Sequence, residues 1–265
     1  MVSTTAEEDE RCLRVVGLNL LHGGGPRVRA LADAVIALEP DVAVLPEFRP
    51  GSPRAGELMA VFNAAGFAHQ RWTTPQDPLV ANGVAIVSKV PFDTVNLPFQ
   101  GSPNGQRVLE VQVTGVDVVG VYFPNRAPKV RFWREEFLPW ARLRLASPTV
   151  VIGDWNSGSH HVDEAGATLQ GAAEFEAMTA MGWTDAWRSR HPDGREFTWY
   201  SPGWWNGFRL DHAFLAPSLA PRLLDARYEH GTRPDRPGLA ARVSDHSAIV
   251  VDLAREPALG GRATE

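Results

Sequence analysis

The chain has 265 residues, 44% apolar and 22% charged, proportions of a soluble globular protein long enough to bury a substantial core. Its net charge of −5 argues against a broad nucleic-acid-binding surface, so a polyanion would have to be gripped by a local patch. The single cysteine, Cys12, excludes an internal disulfide, the acidic run Glu7, Glu8, Asp9 and Glu10 is no signal peptide, and no apolar run approaches the ~20 residues of a membrane span; a cytoplasmic location is the expectation.

Residues 1–11 read as a disordered tail. Residues 12–19 read as a buried strand ending at Asn19, and a turn through Leu20, Leu21, His22 and three glycines leads to Pro26, which can open a helix over 26–38. Val28, Leu31, Val35 and Leu38 recur there at helical spacing. Pro40 and Asp41 break the helix, and 42–45 is a second short strand with Glu47 just past its end. Strand, helix, strand suggests a βα unit that leaves Asn19 and Glu47 at one sheet edge. A helix around Leu58, Val61 and Phe62 follows. Strands near 68–73, 83–88, 106–113 and 116–123 are joined by short turns, so they should be largely antiparallel.

Residues 128–145 read as a helix with Phe132, Phe137 and Trp140 among its apolar positions. Around it lies a basic cluster, Arg126, Lys129, Arg131, Arg134, Arg142 and Arg144, against Glu135 and Glu136. A solvated helix face and a ligand-gripping patch both fit that pattern. Next, Thr149 to Ile152 is a β-branched run that reads as a strand buried on both faces, stopping at Gly153. If extended geometry persists, Asp154 and Asn156, two residues apart, project to the same side. A carboxylate and a carboxamide so placed suit holding a water and a ligand oxygen; an ordinary Asp/Asn turn is the alternative. Residues 172–181 read as helical, 196–200 as β-rich, 208–215 as a strand containing Asp211, and 248–253 as the final strand. Residues 254–265 read as a tail. With no repeat or linker, 12–253 read as a single domain.

Polar residues accumulate at strand ends: Asn19, Glu47, Tyr122, Asn125, Asp154, Asn156, Asp211, Asp245 and His246. Four carboxylates converging on one pocket would repel one another strongly without a cation. All-oxygen ligands favour Mg²⁺, with Mn²⁺ as a substitute, and His22, His160 and His161 supply no convincing zinc set. No nucleophile elbow, phosphate-binding loop or dinucleotide fingerprint is present.

In chain order, Asn19, Pro46 and Glu47, Tyr122 to Asn125, Gly153 to Asn156, Arg209 to Asp211, and Ser244 to His246 resemble the motif set of the endonuclease/exonuclease/phosphatase superfamily. The resemblance covers roughly 12–253. It implies an α/β fold, a four-layer α/β/β/α sandwich of two mixed β-sheets with the active site where the sheets meet at one edge. It further implies a metal site holding Asn19, Glu47 and Asp245, and a water oriented or deprotonated by Asp154. Asn156 would hold that water or the phosphate. His246, oriented by Asp211, would contact the scissile phosphate, and Tyr122, Asn125 and the neighbouring Arg126 would bind substrate.

Tyr122 to Asn125, with Thr198 to Tyr200 and Phe208 to Asp211, is similar to the exonuclease III and abasic-endonuclease branch. There, aromatics matching Trp199 and Phe208 line a pocket for an abasic sugar; simple core packing is the alternative for both. Two departures stand out. The segment between Trp199 and Phe208 is short and lacks Lys and Arg, and the Leu21–His22 region lacks a carboxylate that some members carry. The resemblance thus implies a Mg²⁺-dependent nuclease or phosphodiesterase with nucleic acid as substrate and no obligate protein partner. A phosphoesterase for small or lipid-derived substrates, and a non-catalytic module that keeps the fold, are the alternatives.

Overall fold

The computed structural model describes residues 12–255 apart from 78, 80, 126, 167–168 and 237–242. It opens with β1 (Cys12–Gly17), α1 (Val28–Ile36), β2 (Val42–Phe48), α2 (Ala55–Ala64), β3 (His69–Trp72) and β4 (Gly83–Ser88). The short β5 (Thr94–Asn96) precedes β6 (Val108–Val113) and β7 (Val116–Tyr122). A long helical segment follows as α3 (Ala127–Phe132), a π-helical turn (Trp133–Phe137) and α4 (Leu138–Leu143). Then come β8 (Thr149–Asp154), α5 (Ala172–Ala180), β9 (Thr184–Asp185), α6 (Ala186–Arg190), β10 (Trp199–Tyr200), β11 (Gly207–Phe208), β12 (Asp211–Leu215), β13 (Leu223–Glu229) and β14 (Ala248–Ala254).

Two six-stranded sheets form, β13-β14-β1-β2-β4-β3 and β5-β6-β7-β8-β12-β9, with β10 and β11 as a separate hairpin. Both sheets are mixed: β1 runs parallel to β2 and β7 parallel to β8, each pair bridged by helix, while the short connections are antiparallel. Strand alternation builds the layers. Leu13, Val15, Val150 and Ile152 point between the sheets, whereas Val16 faces the α1 and α2 side and Val151 the α3 to α5 side. The central strands, such as β1, β2, β4, β7 and β8, are apolar on both faces because each sheet is covered twice. The result is the α/β/β/α sandwich. One outer layer is aliphatic, built on Leu31, Val35 and Leu58; the other is aromatic, with Trp155 stacked on Phe123 at 5.1 Å and on Trp133 at 5.4 Å.

Several elements differ from the sequence expectation. The helix expected from Pro26 starts as a 3₁₀ turn over Gly25–Arg27 before α1 begins. The helix expected over 128–145 is interrupted by the π turn just before Pro139, whose missing N–H breaks the regular ladder. The strand expected over 208–215 breaks at Arg209 and Leu210, between β11 and β12. Edge strands β5 and β13 and the single-turn α6 carry too few buried apolar positions to stand out in sequence. β14 continues through Ala254, and Arg255 donates to the Cys12 carbonyl at 2.7 Å and pairs with Asp41 at 3.0 Å, so the supposed tail begins later. Residues 1–11 and 256–265 lie outside the described residues. No helix among the described residues is long and apolar enough to cross a membrane.

Glycine sets how closely two neighbouring strands approach at the site end. Gly153 has φ 145°, and a Cβ there would stand 2.2 Å from the Val121 carbonyl oxygen on the neighbouring strand. Gly153→Ala is therefore expected to cost about 2–3 kcal/mol of stability. Urea unfolding checks this: a midpoint equal to that of the native protein would show that the strands can separate at no cost.

Candidate active site

Three of the strand-end residues are neighbours because of strand register. In β7, β8 and β12, Tyr122 pairs with Asp154 and Asp154 pairs with Asp211. Asp154 shares the parity of Val150 and Ile152, so its side chain enters the space between the sheets. The facing sheet supplies Asn19, just beyond β1, and Glu47. Glu47 is not past the end of β2, as the sequence suggested, but inside it. Pro46 pairs with Val84 and Phe48 with Gly83, leaving Glu47 as the extra residue of a bulge with φ 62°. The bulge turns its carboxylate toward the site. Asp245 and His246 come from the loop before β14.

Asp154 is buried, and donors from both sheets hold it. Asn19 Nδ2 donates to Oδ2 at 2.9 Å and to Glu47 Oε1 at 3.3 Å. The Asn156 backbone N–H donates to Asp154 Oδ1 at 2.9 Å, and its Nδ2 reaches Oδ2 at 3.2 Å. Asn156 meets Asp154 by a route the sequence did not predict. Extended geometry stops at Asp154, and a left-handed Asn156 with φ 47° folds the carboxamide back in an Asx-type turn. Leu21 and His22 are also left-handed, with φ 50° and 58°, so non-glycine residues in a rare conformation cluster around the site.

His246 Nδ1 bonds Asp211 Oδ2 at 2.8 Å, leaving Nε2 for the cavity. Burial by itself lowers the imidazole, but the charge and hydrogen bond of Asp211 outweigh it, and His246 is held cationic well above its ordinary range. Burial raises Asp154 to about 7, opposed by His246 and reinforced by Asp211. Glu47 goes the other way. Burial would raise it, yet hydrogen bonds from the His22 backbone at 2.7 Å and ring at 2.9 Å hold it at about 2. Burial pushes the Tyr122 hydroxyl up to about 12, so it stays a donor, and Asn82 Nδ2 donates to its oxygen at 3.3 Å.

A cavity of about 400 Å³ opens here. Glu47, Asn125, Asp154, Asn156, Asp245 and His246 line it, with His22, Lys129, Leu169, Trp199, Phe208 and Leu210 among the rest of the wall. Trp199 and Phe208 pair across the β10–β11 hairpin with ring centroids 5.8 Å apart. Asn19, Tyr122 and Asp211 stand behind the lining, and Arg126 lies outside the described residues. His22, Asn82 and Lys129 were missed as site residues; only the position of His22 just after Asn19 pointed to it. Of the basic cluster, Arg131, Arg134 and Arg144 pair with Glu135, Glu174 and Glu110 at 2.6–2.7 Å, so their charges are met within the fold, with Arg131 and Arg134 reaching solvent.

The residues fit a hard cation. Asp245 accepts from the Trp199 indole at 2.9 Å through Oδ2, but its Oδ1 is buried without a hydrogen-bond partner among the described residues. An orphaned carboxylate oxygen beside two further carboxylates is what a divalent ion would satisfy. One atom each of Asp154, Asp211 and His246 also lie within 4.8 Å of one another. There, however, the Asp211–His246 hydrogen bond already occupies the inner atoms.

The family model for endonuclease/exonuclease/phosphatase proteins matches residues 17–246, a span that contains all of these groups. The chain belongs to that family. It is a hydrolase of phosphoester bonds. Among solved structures it is similar to an AP endonuclease from Archaeoglobus fulgidus, with 20% identity, TM-score 0.74 and coverage of 90% of this chain and 98% of that one. The 3′ phosphatase NExo of Neisseria bound to a product DNA hairpin matches at 23% identity and TM-score 0.72, over 91% and 99% of the two chains. The 3′-5′ exonuclease NExo from Neisseria meningitidis matches at 24% and 0.73, over 91% and 100%.

Beneath this phosphoesterase site lies a buried ionic cluster. Arg209 makes two hydrogen bonds to Asp163, at 2.7 and 3.0 Å, and two to Asp185, at 3.2 and 2.7 Å. It thereby anchors the chain two residues before Asp211. Burial alone would raise both carboxyls; the Arg209 charge outweighs it and holds them below the ordinary range. Depressed folded-state values stabilise above the unfolded carboxyl pKa of ~4 and lose that contribution as pH falls below it. Arg209→Met should cost about 3–5 kcal/mol near pH 7 by removing the main counter-charge of two buried carboxylates, of which Asp163 keeps Arg188 at 3.0 Å. The deficit should begin to shrink above pH ~4, because carboxyls left buried without Arg209 protonate above their unfolded value, and should shrink further below pH ~4 as the native pairs are lost. Thermal unfolding of both proteins across pH tests this; a pH-independent deficit would mean Arg209 acts through packing.

Proposed function

We propose that the protein is a Mg²⁺-dependent phosphodiesterase of the exonuclease III-like branch that cleaves nucleic-acid phosphodiesters. The observation that carries this reading is the single cavity on which Glu47, Asp154, Asp245 and the Asp211-oriented His246 converge beside Trp199 and Phe208. The run Tyr122 to Asn125 supports the branch. The similar AP endonuclease, and the 3′ phosphatase bound to a DNA hairpin, support nucleic acid as the substrate.

Glu47 and Asp245, with Asn19 beside them, would hold Mg²⁺ or Mn²⁺. Bound there, such an ion would offset carboxylate repulsion and supply Lewis-acid polarisation of the phosphate. Asp154 orients the attacking water and takes its proton; a carboxyl raised toward neutrality is suited to that transfer. Cationic His246 donates Nε2–H to a non-bridging phosphate oxygen, with Asp211 fixing the ring. Tyr122 and Asn125 donate to phosphate oxygens, and Asn156 fixes the Asp154 carboxylate and the water beside it. As the water oxygen bonds to phosphorus, the bond to the leaving oxygen breaks in line. Trp199 and Phe208 form the wall against which the sugar next to the scissile bond packs.

A second reading, a phosphoesterase for small or lipid-derived substrates, has one observation in its favour. The loop 201–206 carries no basic side chain, and its Trp204 is 86% exposed. Incubation with duplexes carrying an abasic site, a recessed 3′ end or neither, with and without EDTA, separates the readings. Chelator-sensitive cleavage of at least one duplex is expected. Turnover of a small phosphodiester with every duplex untouched would favour the second.

Asp154→Asn should lower kcat by ~10²–10⁴-fold at every Mg²⁺ concentration, because the proton acceptor is gone. Glu47→Gln should instead shift the Mg²⁺ dependence to higher concentration and recover in part. Full recovery of Asp154→Asn at high Mg²⁺ would make Asp154 a ligand and not the base. Tyr122→Phe should reduce kcat by about 2–3 kcal/mol of transition-state stabilisation with the fold intact. An unchanged kcat would leave Tyr122 a packing residue.

A further inference from the structure

Lys129 is the one member of the basic cluster, among the described residues, that turns into the cavity. Its neighbours Arg131 and Arg134 reach solvent and pair with carboxylates. Lys129 is 3% exposed, and its stem lies beside Gly171 and Trp133, with Cε 3.5 Å from where a Cβ on Gly171 would stand. The ammonium donates to the backbone carbonyl of Asn156. Among the described residues no carboxylate lies within ion-pair distance of it. Asp154 acts on it only through space, and burial, the larger influence, pushes it down to about 8.

A buried ammonium without a counter-ion is costly to maintain. It has three N–H donors, and the Asn156 carbonyl takes one. The remaining donors belong to a group on the wall of the cavity beside Asp154, Asn156 and Gln170. We propose that Lys129 is a substrate-binding residue whose ammonium donates to a non-bridging oxygen of the substrate phosphate from the Asn156 side of the cavity. This rests on the phosphoesterase reading of the same site. The anion supplies the counter-charge that the fold withholds, and the bond to the Asn156 carbonyl aims the ammonium while bracing the left-handed turn that holds Asp154.

The rival role is purely structural: Lys129 fastens the Asn156 turn and touches no substrate. Two variants separate them. Lys129→Gln keeps a donor for the carbonyl without the charge, and Lys129→Met keeps neither. Inorganic phosphate is the probe, its affinity measured by calorimetry, alongside thermal unfolding without phosphate. Both variants should bind phosphate ~10-fold or more weakly. Their phosphate-free Tm should be unchanged or raised, because an uncompensated buried charge has been removed. Phosphate affinity retained in Lys129→Gln, a lowered phosphate-free Tm with affinity retained in both, or failure of both variants to fold would overturn the assignment. So would an absence of phosphate binding by the native protein. Phosphate affinity lost in both variants, with no phosphodiester turned over by the native protein, would support Lys129 as an anion-binding group and sink the phosphodiesterase reading.

Discussion

The carboxylate of Asp154 is buried at the mouth of the sandwich, and the structure around it is arranged to keep it there. An unsatisfied carboxylate in that position would oppose folding strongly. The hydrogen bond from Asn19 is therefore a structural link as well as a feature of the site, because it ties the end of one sheet to the end of the other at 2.9 Å. Asn156 supplies the other donors by folding back onto the strand it has just left. Gly153, one residue earlier, lets β8 lie close against β7. The space between the sheets thus ends in a fixed acceptor, where two simple sheets would end in an apolar seam.

Around that acceptor the charges fall into pairs of different character. Glu47 is kept ionised by His22, and His246 is kept cationic by Asp211. Asp245 has one oxygen satisfied by an indole and the other without a hydrogen-bond partner among the described residues. These arrangements match the division of labour proposed above: an acceptor for a proton, a donor for phosphate oxygens and an incomplete shell for a cation. Each depends on backbone that ordinary strands do not provide. The bulge at Glu47 and the left-handed residues Leu21, His22 and Asn156 are sparsely populated conformations, held by the packing on either side.

Support for Asp211 from below is ionic. Arg209 fills the break between β11 and β12 and binds carboxylates from two separate segments, fixing the approach to Asp211 from a direction that no strand hydrogen bond controls. Tyr228 adds a bond to the Asp211 carbonyl at 2.7 Å. The aromatic layer under β7 and β8 plays the same part for Asp154, with Trp155 locked between Phe123 and Phe214.

The sequence by itself determined the doubly covered strands and the polar residue types that flank them, and the four-layer arrangement was legible through the motif resemblance. Continuous β-branched runs such as 149–152 can be stable only between two covering layers, and polar residues that terminate such runs must collect where the strands end. Asn19 and Asp154 were legible from that pattern, and Glu47 and His246 through the motif resemblance, although Glu47 lies in a bulge inside β2 and not past its end. Edge strands β5 and β13 were not, since a strand with one partner and an exposed face has no distinctive pattern. Tertiary structure alone decided the partnerships: the bulge at Glu47, the left-handed turn of Asn156, the His22 clasp and the inward turn of Lys129. A sequence records which residues lie on an element. A one-residue bulge or a single change in the sign of φ reverses where a side chain points, and only packing against another segment determines which of those states the chain adopts.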